Sequence, residues 1–197
     1  MQVFCPCVTL SGKGRDAMAK KDHDELAAEM RRDAPDELWD VYDAAGNKTG
    51  RVHRRGDPLT GDDCHLCVHV WTQNSDGLYL LTKRAPGKAM AGLWECTGGS
   101  VLSEEDSLSA ALREVREETG LRLDPEKGAL LFRFSGDHYH CDVWHFRHDF
   151  SKSDIVLQPS ETCDFQIADK ETIRRLTAAG QFLDFEDVER VLEIPFP

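Results

Sequence analysis

The stretch Gly99-Ser-Val-Leu-Ser-Glu-Glu-Asp-Ser-Leu-Ser-Ala-Ala-Leu-Arg-Glu-Val-Arg-Glu-Glu-Thr-Gly120-Leu121 reads as a short acidic helix closed by glycine at both ends. Ser103, with Asp106 three positions on, predicts an N-cap of the capping-box type. Leu108, Ala111, Leu112 and Val115 recur at helical spacing and predict the buried stripe. A helix turns once per ~3.6 residues, so Glu114, Glu117 and Glu118 fall together on a neighbouring face. Gly120 stands where helices stop in a left-handed cap. Clustered carboxylates repel by a few tenths of a kcal/mol per pair. A divalent cation would remove that cost, and hard oxygen ligands suit magnesium or manganese. A solvated acidic face would carry the same spacing, and the residues alone leave both readings open.

The stretch also resembles the Nudix box, Gly-x5-Glu-x7-Arg-Glu-U-x-Glu-Glu-x-Gly-U with U aliphatic. Gly99, Glu105, Arg113, Glu114, Val115, Glu117, Glu118, Gly120 and Leu121 fill its defined positions. Many fixed positions at fixed spacing make a specific signal, unlike a lone glycine-rich motif. The resemblance implies a loop–helix–loop that holds magnesium or manganese against a diphosphate. Glu118, Glu117 and Glu114 would be metal ligands, with the carbonyl of Gly98 added. Glu114 would serve in catalysis, and Arg113 and Glu105 would orient the ligands.

Upstream, Val41-Tyr-Asp43, Gly50-Arg-Val-His-Arg54, His65 to Val70, Leu80 to Arg84 and Gly92-Leu-Trp94 resemble the isopentenyl-diphosphate-isomerase-like branch. So do Asp142 to His148 and Val156 to Glu161. True isomerases of that branch carry a catalytic cysteine followed by His-Pro. Here the region reads Trp94-Glu-Cys96-Thr-Gly98, without His-Pro. Strand alternation would put Cys96 on the face of Trp94, as a packed residue. Opening a phosphoanhydride needs metal and an activated water, whereas moving a double bond needs an acid over an apolar pocket. The expectation is therefore a hydrolase of a nucleoside diphosphate, or of one linked to another moiety. A nucleotide-sensing module and an isomerase are the alternatives. Lys83, Arg84, His65 and Glu161 are candidate substrate contacts. Glu161 is also the outside candidate for the base.

Around this core, Leu38 to Asp43 and Thr49 to Arg54 predict a hairpin, and His65 to Thr72 and Leu78 to Arg84 predict strands. Trp94 to Val101 predicts one strand leading into the box. Leu130 to Phe134, Cys141 to Phe150 and Glu161 to Ile167 follow as strands, then helices at Lys170 to Ala179 and Phe185 to Leu192. The expected fold is an α/β/α Nudix sandwich with a mixed sheet over 37–197, preceded by an N-terminal extension over 1–36. Lys21 to Arg32 could form a polar helix there, and Met18 and Met30 are alternative starts.

A net charge of -12 argues against a nucleic-acid or anionic-membrane footprint, and metals would have to screen phosphate in an acidic site. No apolar run is long enough to span a bilayer. With 7 scattered cysteines, no disulfide framework is expected, and the chain is expected in the cytoplasm with reduced thiols. Cys64-x-x-Cys67 lies in a strand where positions three apart face opposite ways, so buried packing is expected of both. His138, His140, His145 and His148 are dense, with surface or partly packed roles expected. The branch resemblance allows a homodimer.

Overall fold

The computed structural model describes residues 37–185 and 187–195. The extension over 1–36, with Cys5, Cys7 and the expected helix at Lys21 to Arg32, lies outside them. Leu38–Tyr42 (β1) and Lys48–Arg54 (β2) form the expected antiparallel hairpin. Its turn is tied by Asp43 Oδ1, which accepts the N–H groups of Ala45 (3.0 Å) and Asn47 (2.9 Å), as short acidic side chains do in turns.

The main sheet has seven strands: His65–Gln73 (β3), Tyr79–Arg84 (β4), Trp94–Glu95 (β5), Thr97–Ser100 (β6), Gly128–Gly136 (β7), Tyr139–Arg147 (β8) and Thr162–Ala168 (β9). The order is β5-β4-β3-β8-β7, with β6 also on β3 and β9 on β4. Strand β3 pairs with β8 in parallel from His65–Tyr139 to Gln73–Arg147, and the other pairings are antiparallel. The sheet is therefore mixed, as expected.

One strand divides where a single run was expected. In the segment Trp94 to Val101, β5 pairs with β4 and β6 pairs with β3, and the chain changes partner at Cys96. Alternation survives such a change, so the hydrophobic pattern does not reveal it.

Ser107–Thr119 (α1) packs on one face of the sheet: Ala110, Ala111 and Val115 join a core with Leu66, Val68, Val70 and Leu80. Leu108 and Leu112 flank that core, half-buried. Lys170–Ala178 (α2) and Val188–Glu193 (α3) bring Ile173, Val188, Val191 and Leu192 to a second core with Trp71, Tyr79 and Leu81.

The cap of α1 differs from expectation. Asp106, not Ser103, is the N-cap, and its Oδ1 accepts the N–H of Ser109 at 2.7 Å. Glu104 has φ 68, which breaks helical geometry just after Ser103. Ser103 instead ties the loop to the hairpin: its N–H donates to the Leu38 carbonyl (2.7 Å) and its hydroxyl to Asp40 (2.8 Å). Gly120 closes the helix at φ 76, as expected.

His145 is buried on β8 against Gln73, with Nε2 to Oε1 3.1 Å. Burial, with the nearby charges of Arg147 and Lys170, holds its imidazole down from 6.5 to about 4. The unfolded chain takes up this proton near pH 6.5, so stability is full above that pH and falls as pH drops toward 4. Across that window, wild type should lose up to about 3 kcal/mol more than His145→Gln in denaturant melts. Parallel stability–pH curves would exclude His145 as the source.

Candidate active site

Strand β6 and helix α1 meet at a cavity of about 210 Å³. Gly98, Gly99, Arg113, Glu114, Glu117 and Glu118 all line it, so the helical spacing does bring the acidic residues to one place. Two features hold them there. Arg113 is a hub: Nε and Nη2 donate to the two oxygens of Glu105 (2.9 Å each), Nη1 to Glu114 (2.8 Å) and Glu117 (3.3 Å), and Nη2 also to the Ser100 carbonyl (2.9 Å). Burial opposes the charge of its guanidinium, but the bonds to Glu105 and Glu114 outweigh it and hold Arg113 firmly protonated. Glu105 in turn accepts the N–H of Leu102 at 3.0 Å. The second feature is Gly99, where any Cβ would collide with the Glu114 carboxylate. The absence of a side chain lets α1 lie directly on β6.

Burial pushes the Glu114 carboxyl up to about 7, against the pull of Arg113. Glu118 is 6% exposed, and its Oε2 is buried with no hydrogen-bond partner among the described residues. Burial, and then the neighbouring carboxylates Glu95 and Glu114, raise Glu118 well above the carboxylate range. An orphaned buried carboxylate oxygen beside further carboxylates is costly unless a cation meets it. The donors are all oxygen, the set that hard divalent ions take. Glu114, Glu117, Glu118 and the Gly98 carbonyl thus fit such an ion and could hold it.

The candidate substrate contacts separate. His65 lines the cavity, stacked on Trp39 at 4.3 Å between ring centroids. Glu161 lines it and pairs with Lys88 at 2.6 Å. Arg84 lines it too, but Nη1 is committed to Glu95 (2.8 and 3.1 Å) and Nε to the Ala89 carbonyl (2.7 Å). Lys83 does not reach the cavity. It follows β4 alternation to the other side and sits 5.3 Å above the Trp94 ring.

The histidines of β8 and its turn stay away from the cavity. His138 bonds the Asp63 carbonyl, and His140 bonds Ser135 and the Asp43 carbonyl. His69 lines the cavity instead, and the sequence reading passed over it. The signal was available: His65, Cys67 and His69 alternate along β3 and all line the cavity. Cys67, expected to be inert packing, is a lining residue, whereas Cys64 is in the core on the opposite face. Cys96 is buried as expected but also borders the cavity. Phe134, Tyr139 and Phe185 complete an aromatic wall around His69.

The NUDIX domain family model matches residues 64–191. An uncharacterized Nudix hydrolase of Listeria monocytogenes is 32% identical over 151 residues, spanning 76% of this chain and 89% of that protein. The CTP pyrophosphohydrolase of Escherichia coli is 36% identical over 72 residues, 36% of this chain and 53% of that protein. Among solved structures, a Deinococcus radiodurans protein superimposes with a TM-score of 0.65 at 23% identity, covering 79% of this chain and 97% of that one.

The Arg113 hub carries a stability prediction. Arg113→Met strips Glu105 and Glu114 of their shared countercharge within a partly buried cluster and should cost about 2–4 kcal/mol in urea unfolding. A loss below about 0.5 kcal/mol, the size of an ordinary surface change, would contradict the hub.

Proposed function

The chain belongs to the Nudix hydrolase family, and from that footing we propose that it is a divalent-metal-dependent pyrophosphohydrolase. Its substrate is a nucleoside diphosphate, or a nucleoside diphosphate joined to a second moiety. The observation that carries this reading is the buried Oε2 of Glu118, unpartnered among the described residues, beside Glu114 and Glu117. The name of the Escherichia coli relative, a CTP pyrophosphohydrolase, supports a nucleotide as the substrate class.

A bound magnesium or manganese ion supplies charge neutralisation on the diphosphate and a more acidic water. Glu117, Glu118 and the Gly98 carbonyl would hold the ion, and Glu114 could share it. Glu114 takes the proton of the attacking water on its carboxylate. Arg113 and Glu105 fix where the Glu114 carboxylate points. Lys88, at the cavity beside Glu161, supplies a cation for the outer phosphate. Glu161 is the reserve candidate for the base.

Within the family we place the chain with the isopentenyl-diphosphate-isomerase-like branch, as a hydrolase. The upstream segments and the intact box support this, as does a Cys96 that is buried and lacks a following His-Pro. We assign 37–197 to one catalytic domain. The support is the hairpin's union with the sheet: Tyr42 bridges to Cys64, and Trp39 stacks on His65.

The test is a panel of nucleoside diphosphates and their conjugates with magnesium, read as phosphate or nucleotide release. Glu118→Gln should lower kcat by ~10²–10⁴-fold, the span seen when a positioned charged or proton-transferring group is removed, with folding intact. Full turnover by that variant at saturating magnesium would overturn the ligand assignment. Binding without release by the wild type would instead favour a sensor.

A further inference from the structure

Below the acidic rim, the cavity floor has a different chemistry. A ring nitrogen of His69, Cys96 Sγ and a carboxylate oxygen of Asp187 all lie within 4.8 Å of one another. They come from β3, the β5–β6 junction and the lead into α3. We propose that these three side chains form a second metal site, for a borderline ion of the zinc type, separate from the all-oxygen site of the box.

The donor set carries the assignment. One imidazole nitrogen, one thiolate sulfur and one carboxylate oxygen are ligands that Zn²⁺ combines, with bonds of about 2.0–2.3 Å, whereas magnesium takes oxygen alone. His69 Nδ1 and Asp187 Oδ2 are 2.9 Å apart, a span that one ion with bonds of that length can bridge. A neutral imidazole, a thiolate and a carboxylate around Zn²⁺ sum to zero charge. That balance suits a floor where Cys96 and Asp187 are both buried. Binding sends two protons to solvent, one from the Cys96 thiol and one from the imidazole that pairs with Asp187.

Asp187 is placed for this role rather than for its helix. It stands at the N-cap of α3, where an aspartate usually accepts a backbone N–H. Its side chain makes no such bond, is 1% exposed, and turns to His69 and, at 3.5 Å, to Trp71 Nε1. Asp184 Oδ1 stands near the Val188 N–H in its stead, at 3.5 Å. His69 and Cys96 line the cavity and Asp187 does not, so the open side of the ion faces the cavity. With three protein ligands and one position open, the site could take an oxygen or nitrogen of the moiety beyond the diphosphate.

The full-length protein, stripped with chelator and titrated with Co²⁺, tests this by absorbance. One Co²⁺ per chain should bind with a thiolate-to-cobalt charge-transfer band of one-thiolate intensity, and Zn²⁺ should displace it. Cys96→Ser should abolish the band, and Asp187→Asn should weaken binding at least ~10-fold, as loss of a partner at a metal commonly does. Glu118→Gln, and the double variant Cys5→Ser/Cys7→Ser, should both keep the band. Should Cys96→Ser fail to fold by circular dichroism, His69→Gln and the wild-type intensity decide. No stoichiometric band overturns the proposal. So does a band that survives in folded Cys96→Ser or His69→Gln, one of two-thiolate intensity, or one that vanishes with Cys5 and Cys7.

Discussion

A single guanidinium holds the acidic site in shape. Arg113 spans from its own helix to Glu105 in the preceding loop and to the carbonyl of Ser100 at the end of β6. Those bonds lock the helix, its entry loop and the strand below it into one unit. Without that countercharge, Glu105, Glu114 and Glu117 would share a partly desolvated space, and like charges there spread apart or take up protons. Arg113 satisfies one side of Glu114 while Gly99 lets the carboxylate rest against bare backbone. The arrangement keeps Glu114 beside Glu118 although electrostatics would separate them.

Away from that hub, negative charge deepens. Glu95 is buried against Arg84, and burial still raises its carboxyl above the ordinary range despite that pairing. Glu118 feels Glu95 on one side and Glu114 on the other. Arg84 Nη1 hydrogen-bonds the buried Glu95, while the buried Oε2 of Glu118 has no hydrogen-bond partner among the described residues. This imbalance is what a divalent ion would correct, and it is why a net charge of -12 is compatible with an anionic substrate.

Local pattern revealed the acidic face, the Gly120 stop, the hairpin and most of the strands, because each depends on residues a few positions apart. Features set by distant partners were not legible. Ser103 looks like a cap until Asp40 and Leu38 claim it from another sheet. Trp94 to Val101 looks like one strand because a change of neighbour leaves alternation intact. Lys83 and Arg84 looked equivalent as a pair, yet adjacent strand residues face opposite ways, and only Arg84 reaches the cavity. His69 was within reach of the period-2 pattern that includes His65 and Cys67. Its partner Asp187, 118 residues away, was not.

Strand β3 has a further consequence. Leu66, Val68 and Val70 belong to the apolar interior under α1, while His65, Cys67 and His69 border the cavity, whose edge Val68 also reaches. Structural duty and chemical duty are thus interleaved on one segment, one residue out of phase. A replacement at His65, Cys67 or His69 therefore changes the cavity wall and leaves Leu66 and Val70 packed under α1. A slip of a single residue would swap the two sets and lose both.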